Sequence, residues 1–185
     1  MSEVRPRLCL LTGVPGSGKS AIAGVLRPRL PPGWMIIRGD DFIGPTQACY
    51  PGRPWPEIRP FLGYFAGWSA GWYLAMGREV LLEGHFRDAE EVDRLTRGVR
   101  DLCPSCAPPT TVILRGDSRV FAKRLAENPR REPQWSGPGR EENFFAWISS
   151  SAIASSVSGQ IVDVGDSTET EVARRVADAF GISWS

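Results

Sequence analysis

The clearest chemistry in the sequence lies in one glycine-rich segment, Gly13-Val14-Pro15-Gly16-Ser17-Gly18-Lys19-Ser20. Its pattern, Gly-x-x-x-x-Gly-Lys-Ser, follows an apolar run and precedes a helix-like stretch, which is the setting of a phosphate-binding loop. Glycines let the backbone curl so that its N–H groups point at phosphate oxygens, above the positive end of the next helix. We expect Lys19 to reach the β- and γ-phosphates and the Ser20 hydroxyl to bind Mg²⁺. The segment predicts binding of a nucleoside triphosphate, with ATP and GTP as alternatives.

Two adjacent carboxylates, Asp40 and Asp41, follow a second apolar run at residues 35–39. Open α/β sheets bind their ligands where the strands end, so both side chains fall at a ligand-binding edge. Phosphoryl transfer to a hydroxyl needs a group that orients the nucleophile and accepts its proton, and carboxylates commonly do this. We predict that Asp40 is the general base and that Asp41 assists Mg²⁺ or caps the next segment. The two roles could be exchanged, and the simplest alternative is that both residues only cap a turn.

A third candidate, Glu83, follows the apolar run at residues 79–82 and precedes Gly84-His85-Phe86-Arg87. We expect Glu83 to lie near the phosphate loop and to hold Mg²⁺ through water, in a Walker B-like role. Arg87 is predicted to contact the substrate or a phosphate. His85 is the only histidine, and a lone histidine in a loop is more often structural than catalytic.

Arginines accumulate late in the chain, around a proline- and glycine-containing segment at about residues 128–140. They are Arg119, Arg124, Arg130, Arg131 and Arg140. Guanidinium groups in a loop between helices suit a lid that closes over the phosphates, excludes water and balances transition-state charge. We predict that Arg124 and Arg131 act in catalysis, with a solvated basic face as the alternative.

The acceptor site is predicted to involve the long segment after Asp41, which is rich in proline and glycine. We interpret residues 42–60 as a functional loop because structureless linkers of that length are uncommon inside compact domains. The residues assigned to substrate binding are Asp40, Asp41, Phe42, Trp55 and Arg87.

The next predicted helix, residues 57–76, carries two kinds of side chain at helical spacing. One stripe of aromatic side chains consists of Phe61, Phe65, Trp68 and Trp72. We interpret this stripe as buried against the sheet, with contact to the acceptor as the alternative. Its glycines are Gly63, Gly67 and Gly71. Because glycines lower helix propensity, their recurrence predicts close packing against a neighbour.

The elements that position these residues are five short β-rich runs that alternate with helix-capable stretches. The runs span about residues 7–12, 35–39, 79–82, 110–114 and 160–164. This alternation indicates βαβ units with right-handed crossovers, and therefore a parallel sheet with helices on both faces. For 185 residues without a low-complexity linker, we expect one domain over residues 1–185.

Composition excludes some classes of partner. The net charge of +1, from 22 basic and 21 acidic residues, gives no general attraction to nucleic acid or anionic membranes. Nucleic-acid binding would therefore need a local basic patch. Without an apolar run of membrane-spanning length or the apolar core of a signal peptide, we expect a soluble cytoplasmic protein. The four cysteines lack a second Cys/His pair at ligand spacing and are interpreted as buried or reduced thiols.

In these positions the chain resembles the small P-loop kinases that include chloramphenicol phosphotransferase, gluconate kinase and the zeta-toxin kinases. The matching pieces are residues 13–20, the Gly-Asp-Asp-Phe of residues 39–42, the Arg-Gly-Asp of residues 115–117 and the arginines of residues 124–131. The resemblance implies a P-loop NTPase fold: a three-layer sandwich whose five parallel strands have the order 2-3-1-4-5, with an arginine-bearing lid. It also implies ATP and Mg²⁺, an acceptor site over the second strand, and Asp40 as the general base.

Together these inferences predict an ATP-dependent kinase that moves the γ-phosphate to a hydroxyl of a small molecule, such as an antibiotic, a nucleoside or a sugar-like compound. One alternative is a nucleotide or polynucleotide 5′-kinase, because residues 83–87 resemble the corresponding strand end of adenylate kinases. The other is a non-catalytic, nucleotide-dependent switch, which would need no acceptor base. The paired aspartates and the arginines favour catalysis over the switch.

Overall fold

Five parallel strands form the central sheet in a computed structural model that describes residues 6–127, 139–150, 153 and 156–184. The strands are β1 Leu8–Gly13, β2 Trp34–Arg38, β3 Glu79–Gly84, β4 Thr110–Arg115 and β5 Gln160–Asp163. Their order is β2-β3-β1-β4-β5, and each neighbouring pair is parallel. The predicted parallel sheet and its 2-3-1-4-5 order are confirmed. Because β1 is the central strand, the glycine-rich segment after it lies in the middle of the sheet's carboxyl edge.

Helices cover both faces of the sheet. They are α1 Lys19–Leu26, α2 Ile43–Cys49, α3 Trp55–Ala75, α4 Ala89–Leu102, α5 Ser118–Ala126, α6 Arg140–Ser150 and α7 Glu169–Phe180. Short 3₁₀ turns occupy Arg27–Arg29 and Gly39–Phe42. Alternate residues of β1 enter opposite cores: Leu10 packs with α3 and α4, whereas Leu11 packs with α1, α5 and α7. This arrangement is the three-layer sandwich that the resemblance implies.

Side-chain caps fix where several helices begin. Asp88 accepts a hydrogen bond from the backbone N–H of Glu91 at 2.9 Å and caps α4. Asp117 caps α5 by accepting one from the N–H of Arg119 at 2.7 Å. Each cap satisfies an amide that has no partner in the first helical turn. Since β3 and β4 end just before these caps, α4 and α5 start at the sheet's carboxyl edge.

The prediction of a long loop over residues 42–60 is wrong. A 3₁₀ turn and α2 occupy residues 39–49, and α3 already begins at Trp55. The prolines suggested a loop, but Pro45 and Pro56 lie in the first turns of α2 and α3. Backbone amides there have no intrahelical partner, so proline is tolerated in those positions.

The interpretation of the aromatic stripe on α3 as buried is also wrong. Phe61, Trp68 and Trp72 are 39, 43 and 51% exposed. Tyr50 of the C-terminal end of α2 stacks on Phe61, with ring centroids 4.6 Å apart, and Trp68 stacks on Trp72 at 6.3 Å. The pattern misled because α3 carries a second periodic stripe, of small residues, and that stripe faces the core.

The small residues of α3 pack directly against α4. A Cβ atom on Gly67 would lie 2.0 Å from the carbonyl oxygen of Leu95, and one on Gly71 would lie 2.7 Å from that of Val99. The two helices therefore meet backbone to backbone, which confirms the close packing predicted from the glycines.

Although α3 has 21 residues, no described helix combines the length and apolar character that crossing a membrane requires.

The four cysteines are free thiols. Cys9, Cys103 and Cys106 are buried, whereas Cys49 is exposed on α2. Burial raises the pKa of Cys9 to about 12 and that of Cys106 to about 11, so these thiols stay protonated. Within the described residues, no three His, Cys, Asp or Glu side chains come together as a metal site.

Candidate active site

The glycine-rich loop between β1 and α1 has a conformation that only glycine adopts easily. Gly16 and Gly18 have φ angles of +79° and +92°, in the left-handed region that disfavours side chains. A Cβ atom on Gly16 would also lie 2.8 Å from the carbonyl oxygen of Phe121. Gly18 precedes α1 without a side-chain cap. The first amides of α1 are therefore available to an anionic ligand.

Polar side chains of the loop fit a phosphate ligand. The Nζ of Lys19 donates to the carbonyl oxygens of Gly13 and Val14, at 2.9 and 3.0 Å, so its ammonium group lies against the loop. The Oγ of Ser17 is buried and has no hydrogen-bond partner among the described residues. A buried polar atom without a partner is costly, and a polar ligand in the loop would satisfy it. Pro15 is buried and supports the turn.

Ser20 and Glu83 lie together behind the loop. The Oγ of Ser20 donates to the Oε1 of Glu83 at 2.9 Å, and Glu83 is only 2% exposed. The same Oε1 accepts a hydrogen bond from the Nε of Arg38 at 3.2 Å. A hydroxyl and a carboxylate are the oxygen ligands that Mg²⁺ prefers, so the pair fits the predicted metal role.

Arg38 is a site residue that the sequence analysis missed. It is the last residue of β2 and faces Glu83 in the parallel register of β2 and β3. Its position in the sequence could have indicated this role, because Arg38 directly precedes Gly39 and the paired aspartates. Its side chain is 44% exposed, so the guanidinium reaches from Glu83 toward solvent at the sheet edge.

The paired aspartates lie beside the end of β3. Asp40 and Asp41 belong to the 3₁₀ turn Gly39–Phe42, and both are exposed. The turn packs tightly there, since a Cβ atom on Gly39 would lie 3.2 Å from the carbonyl oxygen of Glu83. Phe42 is half-buried against the core formed with α3 and α4 and stabilises the turn. Two exposed carboxylates thus follow a glycine that packs against the backbone of Glu83.

A cavity of about 330 Å³ lies between the start of α3, the β3–α4 loop and α6. Trp55 and Arg87 both line it, so the structure brings together two of the five residues assigned to substrate binding. Among the described residues, the lining does not include Asp40, Asp41 or Phe42. The cavity is a candidate for the part of the acceptor that lies away from the reacting hydroxyl.

The charged wall of this cavity is formed by Arg59, Glu91 and Arg87, which we call the clamp. Of these three residues, the sequence predicted a site role only for Arg87. Glu91 accepts hydrogen bonds from Arg59 Nε at 2.9 Å and from Arg87 Nη2 at 2.9 Å, both at Oε1. Burial alone raises the pKa of Glu91, but hydrogen bonds from Arg59 and Arg87 outweigh it and hold the pKa below the ordinary value. The available signal was the spacing of Arg87 and Glu91, four residues apart.

The β3–α4 loop connects this clamp to the phosphate loop. The N–H of Phe86 donates to the Oγ1 of Thr12 at 3.0 Å, and that hydroxyl donates to the carbonyl oxygen of Phe86 at 3.2 Å. Arg59 Nη2 donates to the carbonyl oxygen of His85 at 3.1 Å. Because Thr12 directly precedes Gly13, these bonds fix the clamp relative to the phosphate loop.

The predicted lid is described only in part. Arg124 is exposed on α5, with its guanidinium carbon 5.9 Å from the ring centroid of Phe121. Arg131 and residues 128–138 lie outside the described residues. Arg140, at the end of the predicted lid, begins α6.

Solved structures with this architecture include the tunicamycin resistance protein of Deinococcus radiodurans, with 17% identity, a TM-score of 0.67, and 98% of this chain and 99% of that chain covered. A gluconokinase from Sinorhizobium meliloti 1021 has 20% identity and a TM-score of 0.58, with 97% and 94% covered. The APS kinase of Mycobacterium tuberculosis, in complex with AMPPNP and APS, has 16% identity and a TM-score of 0.66, with 95% and 99% covered. No protein-family model and no curated protein matches the chain. At these identities the similarity shows the fold, which is that of the small P-loop kinases.

Proposed function

We propose that the protein is an ATP-dependent kinase that transfers the γ-phosphate to a hydroxyl group of a small molecule. The observation that carries the proposal is the phosphate loop, in which Lys19 lies against the loop and Ser20 lies 2.9 Å from a buried Glu83. Two of the similar structures are a gluconokinase and an APS kinase in complex with APS. Both support a small molecule as the acceptor.

The proposed transfer gives each group a role. The amides at the start of α1 and the ammonium of Lys19 bind phosphate oxygens. Ser20 and Glu83 would hold Mg²⁺, which supplies charge neutralisation at the phosphates when it is bound. Asp40 orients the acceptor hydroxyl and accepts its proton. Catalysis of this kind consists mostly of positioning and electrostatic stabilisation.

The arginines would act on the charge that develops during transfer. We propose Arg124 and Arg131 for this role, as guanidinium groups that approach the transferred phosphate. Arg38 adds a third guanidinium, already held at the edge by Glu83. Asp41 remains a proposed Mg²⁺ partner and lies on the same 3₁₀ turn as the base.

The test is ADP release from Mg-ATP by the purified protein, alone and with a panel of antibiotics, nucleosides, nucleotides, sugars and sugar acids, and a 5′-hydroxyl oligonucleotide. We expect one class of small molecule to stimulate release. Lys19→Ala should lower the stimulated rate by about 10²–10³, because it removes a preorganised positive charge from the phosphates. The matched control is Lys123→Ala, which removes an exposed lysine paired with Glu127 and should retain the rate.

Three outcomes would contradict the proposal. Stimulation by the oligonucleotide alone would favour a polynucleotide 5′-kinase. Tight ATP binding without stimulated release by any compound would favour the nucleotide-dependent switch. Equal activity in Lys19→Ala and the parent protein would remove the phosphate loop from the mechanism.

A further inference from the structure

Arg59 and Glu91 have no role in the proposed transfer, yet they form a clamp with Arg87 on the wall of the 330 Å³ cavity. We propose that it binds a carboxylate or phosphate group carried by the acceptor, with Glu91 as the positioning residue for both guanidinium groups. This inference rests on the proposed kinase function and narrows the acceptor to an anionic small molecule.

Glu91 itself has no capacity left for a ligand. Its Oε1 accepts from Arg59 Nε, Arg87 Nε and Arg87 Nη2, at 2.9, 3.1 and 2.9 Å. Its Oε2 accepts from Arg59 Nη2 at 3.3 Å and from the backbone N–H of Arg87 at 2.8 Å. An ionised carboxylate offers about four lone-pair sites, so this group is saturated. What Glu91 does is hold two guanidinium groups in fixed orientations.

The two guanidinium groups keep donors for a ligand. No described residue accepts a hydrogen bond from the Nη1 atom of Arg59 or Arg87. The Arg87 side chain is 39% exposed and that of Arg59 is 19% exposed, so Arg87 presents more of its surface. A planar guanidinium donates two parallel hydrogen bonds to a carboxylate or phosphate, which an uncharged hydroxyl cannot accept in the same way.

Within the clamp, two guanidinium groups share the single carboxylate of Glu91. Over the described lining of the cavity the formal charges balance, because Arg59, Arg87 and Arg94 are matched by Asp88, Glu90 and Glu91. Recognition of an anion by the clamp therefore depends on the Nη1 donors that no described residue uses, and not on the net charge of the cavity.

The remaining lining suits the uncharged body of such a molecule. Trp55 and Trp147 both line the cavity, from α3 and α6. Indole rings bind apolar or planar surface, whereas the clamp fixes the charged end. The geometry thus favours a small acceptor with one anionic group and a hydroxyl at some distance from it.

The experiment compares anions with their neutral analogues by calorimetric titration of the protein saturated with Mg-AMPPNP. The pairs are D-gluconate against D-glucitol and D-ribose 5-phosphate against D-ribose, which distinguish a carboxylate from a phosphate. We expect one anion to bind at least about tenfold more tightly than its neutral analogue. Glu91→Gln and Arg87→Gln should each remove this preference.

The matched control is Glu57→Gln. Glu57 and Arg53 form an arginine–glutamate pair with the same spacing as Arg87 and Glu91, but both side chains are exposed. This variant should keep the preference for the anion. Thermal unfolding of every variant identifies one that fails to fold, and the Arg87→Gln and Glu91→Gln results must agree.

Equal binding of anion and neutral analogue, absence of binding by all four compounds at millimolar concentration, or an unchanged preference in Glu91→Gln would each overturn the inference. Since the titration needs no phosphoryl transfer, its outcome is separate from that of the proposed function. If the protein binds the anion through the clamp but never releases ADP, the inference about the clamp holds and the proposed kinase function fails.

Discussion

The two halves of the carboxyl edge are built in different ways. On the phosphate side, the groups proposed to bind a nucleotide come from one continuous segment, residues 13–20, and its conformation is set by local glycines. On the acceptor side, Arg59 and Glu91 are 32 residues apart and meet only because two helices pack together. A site that lies within one short segment can be predicted from the spacing of its residues. A site that forms where two helices pack together can be predicted only when the packed face of each helix is known.

The packed face of α3 is therefore the element on which the acceptor side depends. Arg59 lies on α3 and Glu91 on α4, and these helices touch through Gly67 and Gly71. Larger residues at the contact would separate the helices and with them the two members of the clamp.

The largest expected effect concerns Asp40, in the 3₁₀ turn that follows β2. Asp40→Asn should lower turnover by about 10²–10⁴, because it removes the proposed general base, while ATP affinity changes little. Steady-state ADP release with the acceptor and a separate ATP-binding titration measure the two quantities.

Asp41→Asn, at the neighbouring proposed Mg²⁺ partner, is the comparison that separates the roles of the two aspartates. If Asp41→Asn loses more turnover than Asp40→Asn, the two aspartates have exchanged roles. If neither variant loses turnover, the turn carries no general base.

Glu83 tests the phosphate side. Glu83→Gln keeps the size of the side chain but removes its charge, and we expect activity at limiting Mg²⁺ to fall by about 10–100-fold. Glu79→Gln is the control, since Glu79 lies at the other end of β3 and pairs with Arg7. The measurement is the Mg²⁺ concentration that gives half-maximal ADP release. An unchanged requirement in Glu83→Gln would assign Glu83 to the structural pairing with Arg38 instead.

The sequence predicted much of the fold because its strands are apolar runs with clear ends. All five predicted strands agree with the observed ones to within two residues at either end. The start of α7 is encoded locally, by the capping box of Thr168 and Glu171. The phosphate loop could be predicted equally well, since Gly16 and Gly18 have the positive φ angles that favour glycine.

The acceptor side was less predictable because α3 carries two periodic stripes. Aromatic side chains are normally buried because they have a large apolar area. Here the glycines of α3 allow a contact between helix backbones that leaves no space for a larger residue. Once Gly67 lies against Leu95, the face with Trp68 and Trp72 has to point outward. The spacing of the glycines predicted a close contact but not that the aromatic face would be left exposed, and the clamp of Arg59 and Glu91 depends on that outcome.

A glycine-to-alanine pair tests this dependence directly. Gly67→Ala should lower the free energy of unfolding by about 1–3 kcal/mol, because its Cβ would lie 2.0 Å from a backbone oxygen. Gly24→Ala, in α1 on the phosphate side, has no atom within 4 Å of its Cβ and should stabilise by about 0.5–1 kcal/mol. Urea denaturation of both variants gives the two values. Equal effects would show that the α3–α4 contact is not as restrictive as the backbone geometry indicates.

The smallest effect concerns the pH dependence of stability on the acceptor side. In the folded protein the pKa of Glu91 lies below its ordinary value of 4.5, so the ionised form is favoured by folding. The stabilisation is complete at pH values above 4.5 and is lost as the pH falls through the lower pKa of the folded state. The difference in unfolding free energy between the parent protein and Glu91→Gln should therefore be constant near neutral pH and shrink in acid.

The control for this titration is Gly24→Ala, whose effect involves no ionisable group and should stay constant over the same pH range. A difference between the parent protein and Glu91→Gln that also stays constant would mean that the arginines do not stabilise the carboxylate more in the folded state than in the unfolded chain. In that case Glu91 could not hold Arg59 and Arg87 in place, and the acceptor side would lose the element that orients its guanidinium groups. A difference that shrinks in acid would instead tie the folding of α3 against α4 to the charge of the clamp, so that helix packing and acceptor recognition share one carboxylate.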